Sequence, residues 1–211
     1  MTWRVVIPFK GAPSSKSRLA ARLDDLSRHA LALAFLQDAV AAVRATPGVT
    51  GVTLVSSEPG LHSLFAADSA LAPIELVPDP RDGLNGAIEH GIRAARAGDA
   101  DAHVAVLLGD LPELTADELA GALEAAGRHP LSYVTDAAGT GTTMITLAPR
   151  EAAEPHFGAG SAAVHAAAGF APLDLPAGSG LRRDVDAPDD LDRIASPGRY
   201  TAAVLGAVRT R

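Results

Sequence analysis

The run HVAVLLGD at residues 103–110 constrains the fold more than any other stretch, because its apolar residues follow one another without polar interruption. A strand that is apolar on both faces is buried on both faces, as in parallel sheets covered by helices. Around it, short β-branched runs alternate with longer helix-forming segments. This alternation predicts an α/β protein with a mostly parallel sheet.

The predicted elements extend along most of the chain. We predict strands at 3–8, 51–56, 74–78, 103–110, 131–136, 142–149 and 181–186. We predict helices at 26–45, 59–68, 84–98, 115–129 and 187–195. The stretch 135–180 departs from simple alternation, so we expect a mixed sheet whose second half closes over a site. No second domain is indicated, and we expect residues 1–211 to form a single domain.

Composition excludes several functional classes. The net charge is −7, which argues against general nucleic-acid binding because an acidic surface repels phosphate backbones. The chain has no cysteine, which excludes a disulfide, a thiolate metal site and a cysteine nucleophile. The N-terminus does not resemble a signal peptide, and no apolar run approaches the roughly 18 residues of a membrane span. We therefore expect a soluble cytoplasmic protein without a membrane or nucleic-acid partner.

The loop after the first strand, FKGAPSSKSRLA, concentrates positive charge. It holds Lys10, Lys16 and Arg18, and these two lysines are the only ones in the chain. In open α/β sheets ligands bind beyond the carboxyl ends of the strands, and lysine charges with backbone amides suit a polyphosphate. The spacing is not that of a P-loop. The alternative is a solvated loop with incidental charges.

The loop after the third strand, DPRDGLNGA, contains Gly83 and Asn85. It could contact a base or ribose. The alternative is a helix-initiating turn in which Asn85 caps the helix.

Carboxylates mark two further loops. Asp110 ends the apolar central strand, where a carboxylate is costly unless something uses it, and Mg²⁺ is one such use. In LRRDVDAPDDL, Asp184 and Asp186 point to the same side of an extended chain and could complete a metal site. Each aspartate also has an alternative interpretation. Asp186 could be the N-cap of a helix that has a proline early in its first turn, and Asp110 could be a residue that only connects the strand to a turn.

Two glycine-rich loops could bind an anion. TDAAGTGTTMI at 135–145 offers amides and hydroxyls, although a hairpin loop is the alternative. HFGAGSAAVH places Gly158 and Ser161 just before a helix, where Ser161 either caps the helix or binds an anion.

Taken together, the motifs resemble those of CofC/FbiD guanylyltransferases. PFKGAPSSKSRLA, GLNGAI, GDLPEL, GTGTT, FGAGS and LRRDVDAPDDL occur in the order of that family and cover nearly the whole chain. The resemblance implies a nucleotidyltransferase domain, a GT-A-like and Rossmann-like three-layer sandwich. It also implies transfer of GMP from GTP to a phosphorylated three-carbon acid, with release of pyrophosphate, in coenzyme F-420 biosynthesis. The acid is phosphoenolpyruvate, 2-phospho-L-lactate or 3-phosphoglycerate, and phosphoenolpyruvate would be held by Thr143, Gly158 and Ser161.

The chain departs from the family pattern around the acceptor. Ala159 and Ala162 replace a proline and an aromatic residue, and Ala138 stands where an acidic residue often precedes GTGT. These changes bear on the identity of the acid more than on the chemistry.

Combining residues and resemblance gives a hypothesis for the reaction. Asp110 with Asp184 or Asp186 would hold Mg²⁺. The triphosphate would be bound, and the leaving pyrophosphate stabilised, by Lys10, Lys16 and Arg18. Gly83 and Asn85 would lie nearer the nucleoside. Positioning and charge neutralisation dominate such transfers. The alternatives are another nucleotidyltransferase of this fold, acting on molybdopterin or a sugar phosphate, a catalytically inactive GTP-binding regulator and, less favoured, a glycosyltransferase.

Overall fold

The computed structural model describes residues 1–11 and 17–209, without the side chains of residues 17, 18, 208 and 209. The strands are β1 (Trp3–Pro8), β2 (Val49–Val55), β3 (Glu75–Val77), β4 (His103–Leu107), β5 (Leu131–Thr135), β6 (Thr142–Leu147) and β7 (Ala171–Pro172). The α-helices are α1 (Asp25–Ala45), α2 (Leu61–Ala66), α3 (Gly83–Gly98), α4 (Ala116–Ala126), α5 (Ser161–Ala167), α6 (Pro188–Arg193) and α7 (Arg199–Arg209). Two 3₁₀ turns occupy Ser17–Ala21 and Gly180–Arg182.

The strands form one mixed sheet in the order β3-β2-β1-β4-β6-β5-β7. β1, β2, β3 and β4 pair in parallel, β6 is antiparallel to both β4 and β5, and β7 pairs in parallel with β5. The predicted mostly parallel α/β sheet is therefore confirmed, and so is the departure from simple alternation after residue 135.

Helices cover both faces of the sheet, and β1 shows why. Val5 and Ile7 pack into the cluster that contains the buried face of α1 and α4. Val6 points the other way, into the cluster with Ile88 and Ile92 of α3. Because successive side chains of a strand alternate between faces, an unbroken apolar strand needs this three-layer arrangement.

Helix α1 is the one helix of the described residues that is long and apolar enough to cross a membrane by length and composition. However, 61% of its apolar window is buried inside the protein, which is the pattern of a core helix packed on a sheet.

Some predicted boundaries are wrong. β4 ends at Leu107, so Asp110 lies in the loop beyond the strand. LRRDVD is a 3₁₀ turn followed by irregular chain, although its alternation predicts a strand. Arg182 in that turn donates to the carbonyl oxygens of Asp136 and Leu175. These side-chain bonds, and not backbone pairing with a strand, attach the segment to the rest of the protein.

Candidate active site

A cleft of about 700 Å³ opens beyond the carboxyl ends of β1 and β4. β1 supplies Pro8, and the chain after it supplies Phe9 and Lys10. The loop after β4 supplies Leu108, Gly109 and Asp110. Helices α1 and α3 also contribute to the lining, and the other residues come from three segments: Asp136 with residues 140–142, residues 157–161, and Asp184 with Asp186. Adjacent parallel strands that diverge into separate loops leave such a crevice, which is where ligands bind in this class of sheet.

Three carboxylates meet in this cleft. Asp110, Asp184 and Asp186 each offer one oxygen, and these oxygens all lie within 4.8 Å of one another. The backbone amide of Val185 donates to the carbonyl oxygen of Asp110 at 3.1 Å, so the segment with two of the carboxylates is attached to the residue with the third. The oxygens form a hard donor set of the kind that Mg²⁺ prefers, so the residues fit this ion.

Two glutamates hold the segment that carries Asp184 and Asp186. Glu113 Oε1 accepts the backbone amides of Ala195 and Ser196 at 2.8 and 2.7 Å, and Glu113 Oε2 lies 3.0 Å from the Arg183 guanidinium. The Glu113 side chain is only 7% exposed, so these contacts satisfy a nearly buried charge. Glu118 forms a capping box with Thr115 and also accepts the amide of Gly180 at 2.8 Å.

The positive side of the site is described in part. Lys10 is exposed and lines the same cleft as Asp110. Lys16 and the side chain of Arg18 lie outside the described residues. The expectation that both lysines lie near the carboxylates therefore stays a prediction. The position of Lys10, in the same cleft as Asp110, agrees with it.

The glycine-rich loops also line the cleft. Gly158 and Ser161 contribute together with Thr140, Gly141 and Thr142. Thr143 is fully buried and does not line the cleft, because its hydroxyl donates to the carbonyl oxygen of Leu181 at 2.7 Å. Acceptor binding by Thr143 stays a prediction, and its hydroxyl already has a partner within the protein.

A family model described as guanylyl transferase CofC like matches residues 3–169. The chain belongs to this family. A phosphoenolpyruvate guanylyltransferase from Sanguibacter keddieii is 42% identical over an alignment of 239 positions, gaps included. The alignment covers 97% of this chain and 84% of that protein. One from Streptomyces coelicolor is 42% identical over 206 residues, covering 97% and 96% of the two chains.

The solved structures agree in fold. A nucleotide-diphospho-sugar transferase from Desulfovibrio desulfuricans superimposes with a TM-score of 0.74 at 17% identity, covering 100% of this chain and 96% of that one. At this identity the likeness concerns the fold alone. It confirms the nucleotidyltransferase fold that the motifs imply.

In this CofC-like guanylyl transferase, two capping interpretations are wrong. The N-cap of α6 is Ala187, and the amides of Asp186 and Ala187 donate to Asp190 at 3.1 and 2.8 Å, so the carboxylate of Asp186 does not cap the helix. The N-cap of α5 is Gly160, with a φ of 71° that favours glycine, and Ser161 donates its hydroxyl to Thr142 instead. Both side chains therefore line the cleft.

Asn85 also differs from its capping interpretation. The N-cap of α3 is Asp82, and Gly83 begins the helix with a φ of 76°. Asn85 makes two bonds to the backbone of Phe157, accepting its amide at 2.9 Å and donating to its carbonyl at 3.2 Å. The residue thus fastens α3 to the loop with Gly158. Leu84, between Gly83 and Asn85, lines the cleft, and nucleotide contacts by Gly83 and Asn85 stay predictions.

Sequence reasoning gave no individual role to three residues in or behind the wall that the glycine-rich loops form. Asp136 accepts the amides of Thr140 and Gly141 at 2.9 and 2.8 Å and so shapes the β5–β6 turn. Thr142 reaches the cleft, and fully buried His165 stands behind it. The signal for Asp136 was present, because an aspartate shortly before the glycines at 139 and 141 is typical of a turn in which its carboxylate accepts backbone amides. The neighbouring threonines give no signal of which one faces the ligand.

Proposed function

We propose that this chain transfers the guanylyl group of GTP to the phosphate of phosphoenolpyruvate, or of the closely related 2-phospho-L-lactate, and releases pyrophosphate. The observation that carries the proposal is the meeting of Asp110, Asp184, Asp186 and Lys10 in one cleft of a CofC-like chain. The relatives named phosphoenolpyruvate guanylyltransferase support this acceptor. A cytoplasmic location and a role in coenzyme F-420 biosynthesis are part of the proposal.

The carboxylate side would hold Mg²⁺, with Asp110 and Asp184 as ligands and Asp186 as a third. An ion held there would supply positive charge that offsets the negative charge of the phosphate groups. The chain itself supplies the rigid placement of these oxygens, through the Val185 amide and the Glu113 contacts described above.

The cationic side would bind the triphosphate. Lys10 faces the cleft as a compact ammonium, which can follow a phosphate as it moves to its leaving position. Lys16 and Arg18 follow it in sequence and join it in the proposal. Their charge offsets the repulsion between two polyanionic substrates, which is the main obstacle to bringing them together.

The loops with Gly158, Ser161 and Thr142 would hold the acceptor. Its phosphate oxygen, already ionised at neutral pH, attacks the α-phosphorus of GTP, and the bond from that phosphorus to the bridging oxygen of pyrophosphate breaks. No proton is transferred in this step, so the chain needs no general base. Positioning in line and charge neutralisation then account for catalysis.

The test is an acceptor and donor profile. The purified protein is incubated with Mg²⁺ and GTP, ATP or CTP, each with phosphoenolpyruvate, 2-phospho-L-lactate, 3-phosphoglycerate or a sugar 1-phosphate, and pyrophosphate release is measured. We expect release with GTP and a phospho-acid. Release with a sugar 1-phosphate alone would replace the proposal with a sugar nucleotidyltransferase. GTP binding without turnover on any acceptor would indicate a regulator.

A further inference from the structure

The sheet order leaves one side of the cleft for the nucleoside of GTP. In the order β3-β2-β1-β4-β6, Asp110 follows β4, and the glycine-rich loops follow β5 and β6. If the triphosphate lies between Lys10 and Asp110 and the acceptor lies on the β6 side, the base extends toward the loops that follow β1, β2 and β3. Phe9 after β1 and Leu84 at the start of α3 already line the cleft. The loop after β2 stands between β1 and β3 in this order.

Backbone hydrogen bonds join the ends of these three strands. The amide of Phe9 donates to the carbonyl oxygen of Val55, the last residue of β2, at 2.9 Å. The amide of Ser56 donates to the carbonyl oxygen of Val77, the last residue of β3, at 2.9 Å. The loop after β2 is therefore attached to the chain that leads to Lys10, and its first side chains have defined positions.

Glu58, on the loop after β2, places its carboxylate beside the cleft. A Cβ on Gly11 would stand 1.9 Å from Glu58 Oε2, so this oxygen lies against the residue that follows Lys10. On α1, His29 Nε2 lies 3.6 Å from Glu58 Oε1, and Ala32, one turn further along, lines the cleft. The carboxylate is thus held between two residues whose near neighbours form the cleft.

The Glu58 carboxylate lacks the hydrogen-bond donors that a largely buried charge requires. Its side chain is 14% exposed, and the contact with His29 is longer than a hydrogen bond. Within residues 1–11 and 17–209, no group donates a hydrogen bond to either of its oxygens. On the loop after β3, by contrast, Asp79 accepts the amide of Arg81 at 2.8 Å, and Asp82 is exposed. Since a desolvated carboxylate without donors is costly, a ligand that brings donors to Glu58 gains affinity.

We infer that Glu58 determines the specificity for the donor nucleotide, with its carboxylate accepting N1–H and the 2-amino group of guanine. These two donors are adjacent on the Watson–Crick edge of guanine, and an ionised carboxylate accepts both. Adenine presents a bare nitrogen at N1, and cytosine presents one at N3, so either base would face the carboxylate without a hydrogen between them. The inference rests on the proposed function and supplies a physical reason for its choice of GTP.

Nucleotide binding without an acceptor tests this role independently of turnover. Calorimetry with Mg²⁺ gives Kd for GTP, ATP, inosine triphosphate, which lacks the 2-amino group, and xanthosine triphosphate, which has a carbonyl in its place. A hydrogen bond to a charged group implies that the wild type binds inosine triphosphate about tenfold more weakly than GTP. The unpaired contacts imply that ATP and xanthosine triphosphate bind about a hundredfold more weakly.

A change of one atom in Glu58 should invert the preference. Glu58→Gln keeps the size, and its amide can accept N1–H of xanthine while donating to the 2-carbonyl oxygen. We expect GTP to bind about tenfold or more weakly than in wild type, and xanthosine triphosphate to become the tighter ligand. Glu58→Asp keeps the charge and should still prefer GTP. Glu89→Gln, which removes an exposed carboxylate paired with Arg93, is the matched control and should change neither Kd.

Inversion in Glu58→Gln, with GTP still preferred in Glu58→Asp, would support the assignment. An unchanged ratio of the two Kd values in Glu58→Gln would overturn it. An equal loss of affinity for all four nucleotides would also overturn it, because Glu58 would then only hold the loop at Gly11, and so would a wild type that binds ATP as tightly as GTP. Inverted binding in a protein that releases no pyrophosphate with any phospho-acid would support the assignment and refute the proposed function.

Discussion

The backbone amide of Val185 donates to the carbonyl oxygen of Asp110 at 3.1 Å. Val185 stands between Asp184 and Asp186, the two residues whose carboxylates lie close to that of Asp110. The carboxylate cluster is therefore built by a tertiary contact between segments that are distant in sequence. Its geometry depends on the loop after β4 and on the 180–196 segment remaining together.

Substitution of Asp110 should stop the reaction without unfolding the protein. Asp110→Asn keeps the shape and removes the charge, so we expect turnover to fall by about a hundredfold or more, as when a group that acts in the transition state is lost. Steady-state pyrophosphate release measures this, and calorimetric Mg²⁺ titration should show weaker binding. Asp101→Asn, on an exposed ion pair with Arg150, is the control. Retention of most activity would remove Asp110 from the mechanism.

Glu113 should control the site from outside the cleft. Glu113→Gln replaces an oxygen that accepts the amides of Ala195 and Ser196 or faces Arg183, so we expect a loss of about 1–3 kcal/mol in the free energy of unfolding. Because the 180–196 segment then loosens, the Mg²⁺ concentration for half-maximal rate should rise severalfold. Glu124→Gln, on the exposed face of α4, provides the comparison. An unchanged Mg²⁺ dependence in a destabilised variant would limit Glu113 to stability.

The close approach of Gly180 to the same loop gives a steric test. A Cβ at Gly180 would stand 2.5 Å from the carbonyl carbon of Glu113 and 2.9 Å from the amide nitrogen of Leu114, both backbone atoms. Gly180→Ala should therefore lower the melting temperature by several degrees and lower activity, because either the turn or the loop must move. Gly178→Ala, where a Cβ would meet nothing within 4 Å, should leave both nearly unchanged. Equal effects would show that the segment adjusts freely.

Lys10 should act on the nucleotide rather than on the acceptor. Lys10→Ala removes an exposed charge at the cleft, so we expect KM for GTP to rise about tenfold and to depend less on salt than in wild type. Arg93→Ala removes an equally exposed positive charge from the outer side of α3 and should change KM little. Lys16→Arg, outside the described residues, should also impair turnover if a compact ammonium is required.

The sequence predicted the fold class because the signals were strong and local. Unbroken apolar strands require two covering layers, and the rule that ligands bind at strand ends placed Asp110, Asp184 and Asp186 in one candidate site. The prediction of a strand at 181–186 is wrong, because the alternation of apolar and charged residues in this segment reflects contacts other than strand pairing. Leu181 is buried against α4, Arg182 binds carbonyl oxygens, and Val185 packs against Leu19 and Leu31.

The assignment of the threonines could not be made from sequence. The register between β5 and β6 shifts between Val134 and Thr135, which pair with Met144 and Thr142, so the irregularity falls at Thr143. Which hydroxyl faces the cleft depends on that shift, since adjacent residues of a strand point to opposite faces. The burial of His165 could not be predicted either, because it depends on packing against Phe157 and Phe170 and on a hydrogen bond with a β6 hydroxyl.

His165 should make the protein sensitive to acid. Burial and, to a lesser extent, the charge of His156 together lower the pKa of His165 from 6.5 to about 4, so below pH 6.5 the unfolded chain binds a proton that the folded protein does not bind. The contribution of neutral His165 to the free energy of unfolding is therefore fully present above about pH 6.5. It is lost as the pH falls toward 4, and the loss is on the order of 3 kcal/mol in total. Burial also lowers the pKa of His103, which acts in the same direction, so a variant is needed to isolate His165.

His165→Asn provides that comparison. Without the imidazole, the free energy of unfolding should be lower than in wild type at pH 7.5 and should decrease less between pH 7 and 4.5, because one proton-linked group has been removed. Urea unfolding at several pH values, followed by circular dichroism, measures both curves, and the difference between them should shrink steadily as the pH falls. Two parallel curves would mean that the pKa of His165 is the same in the folded and the unfolded protein, which would contradict the lowering of this pKa by burial.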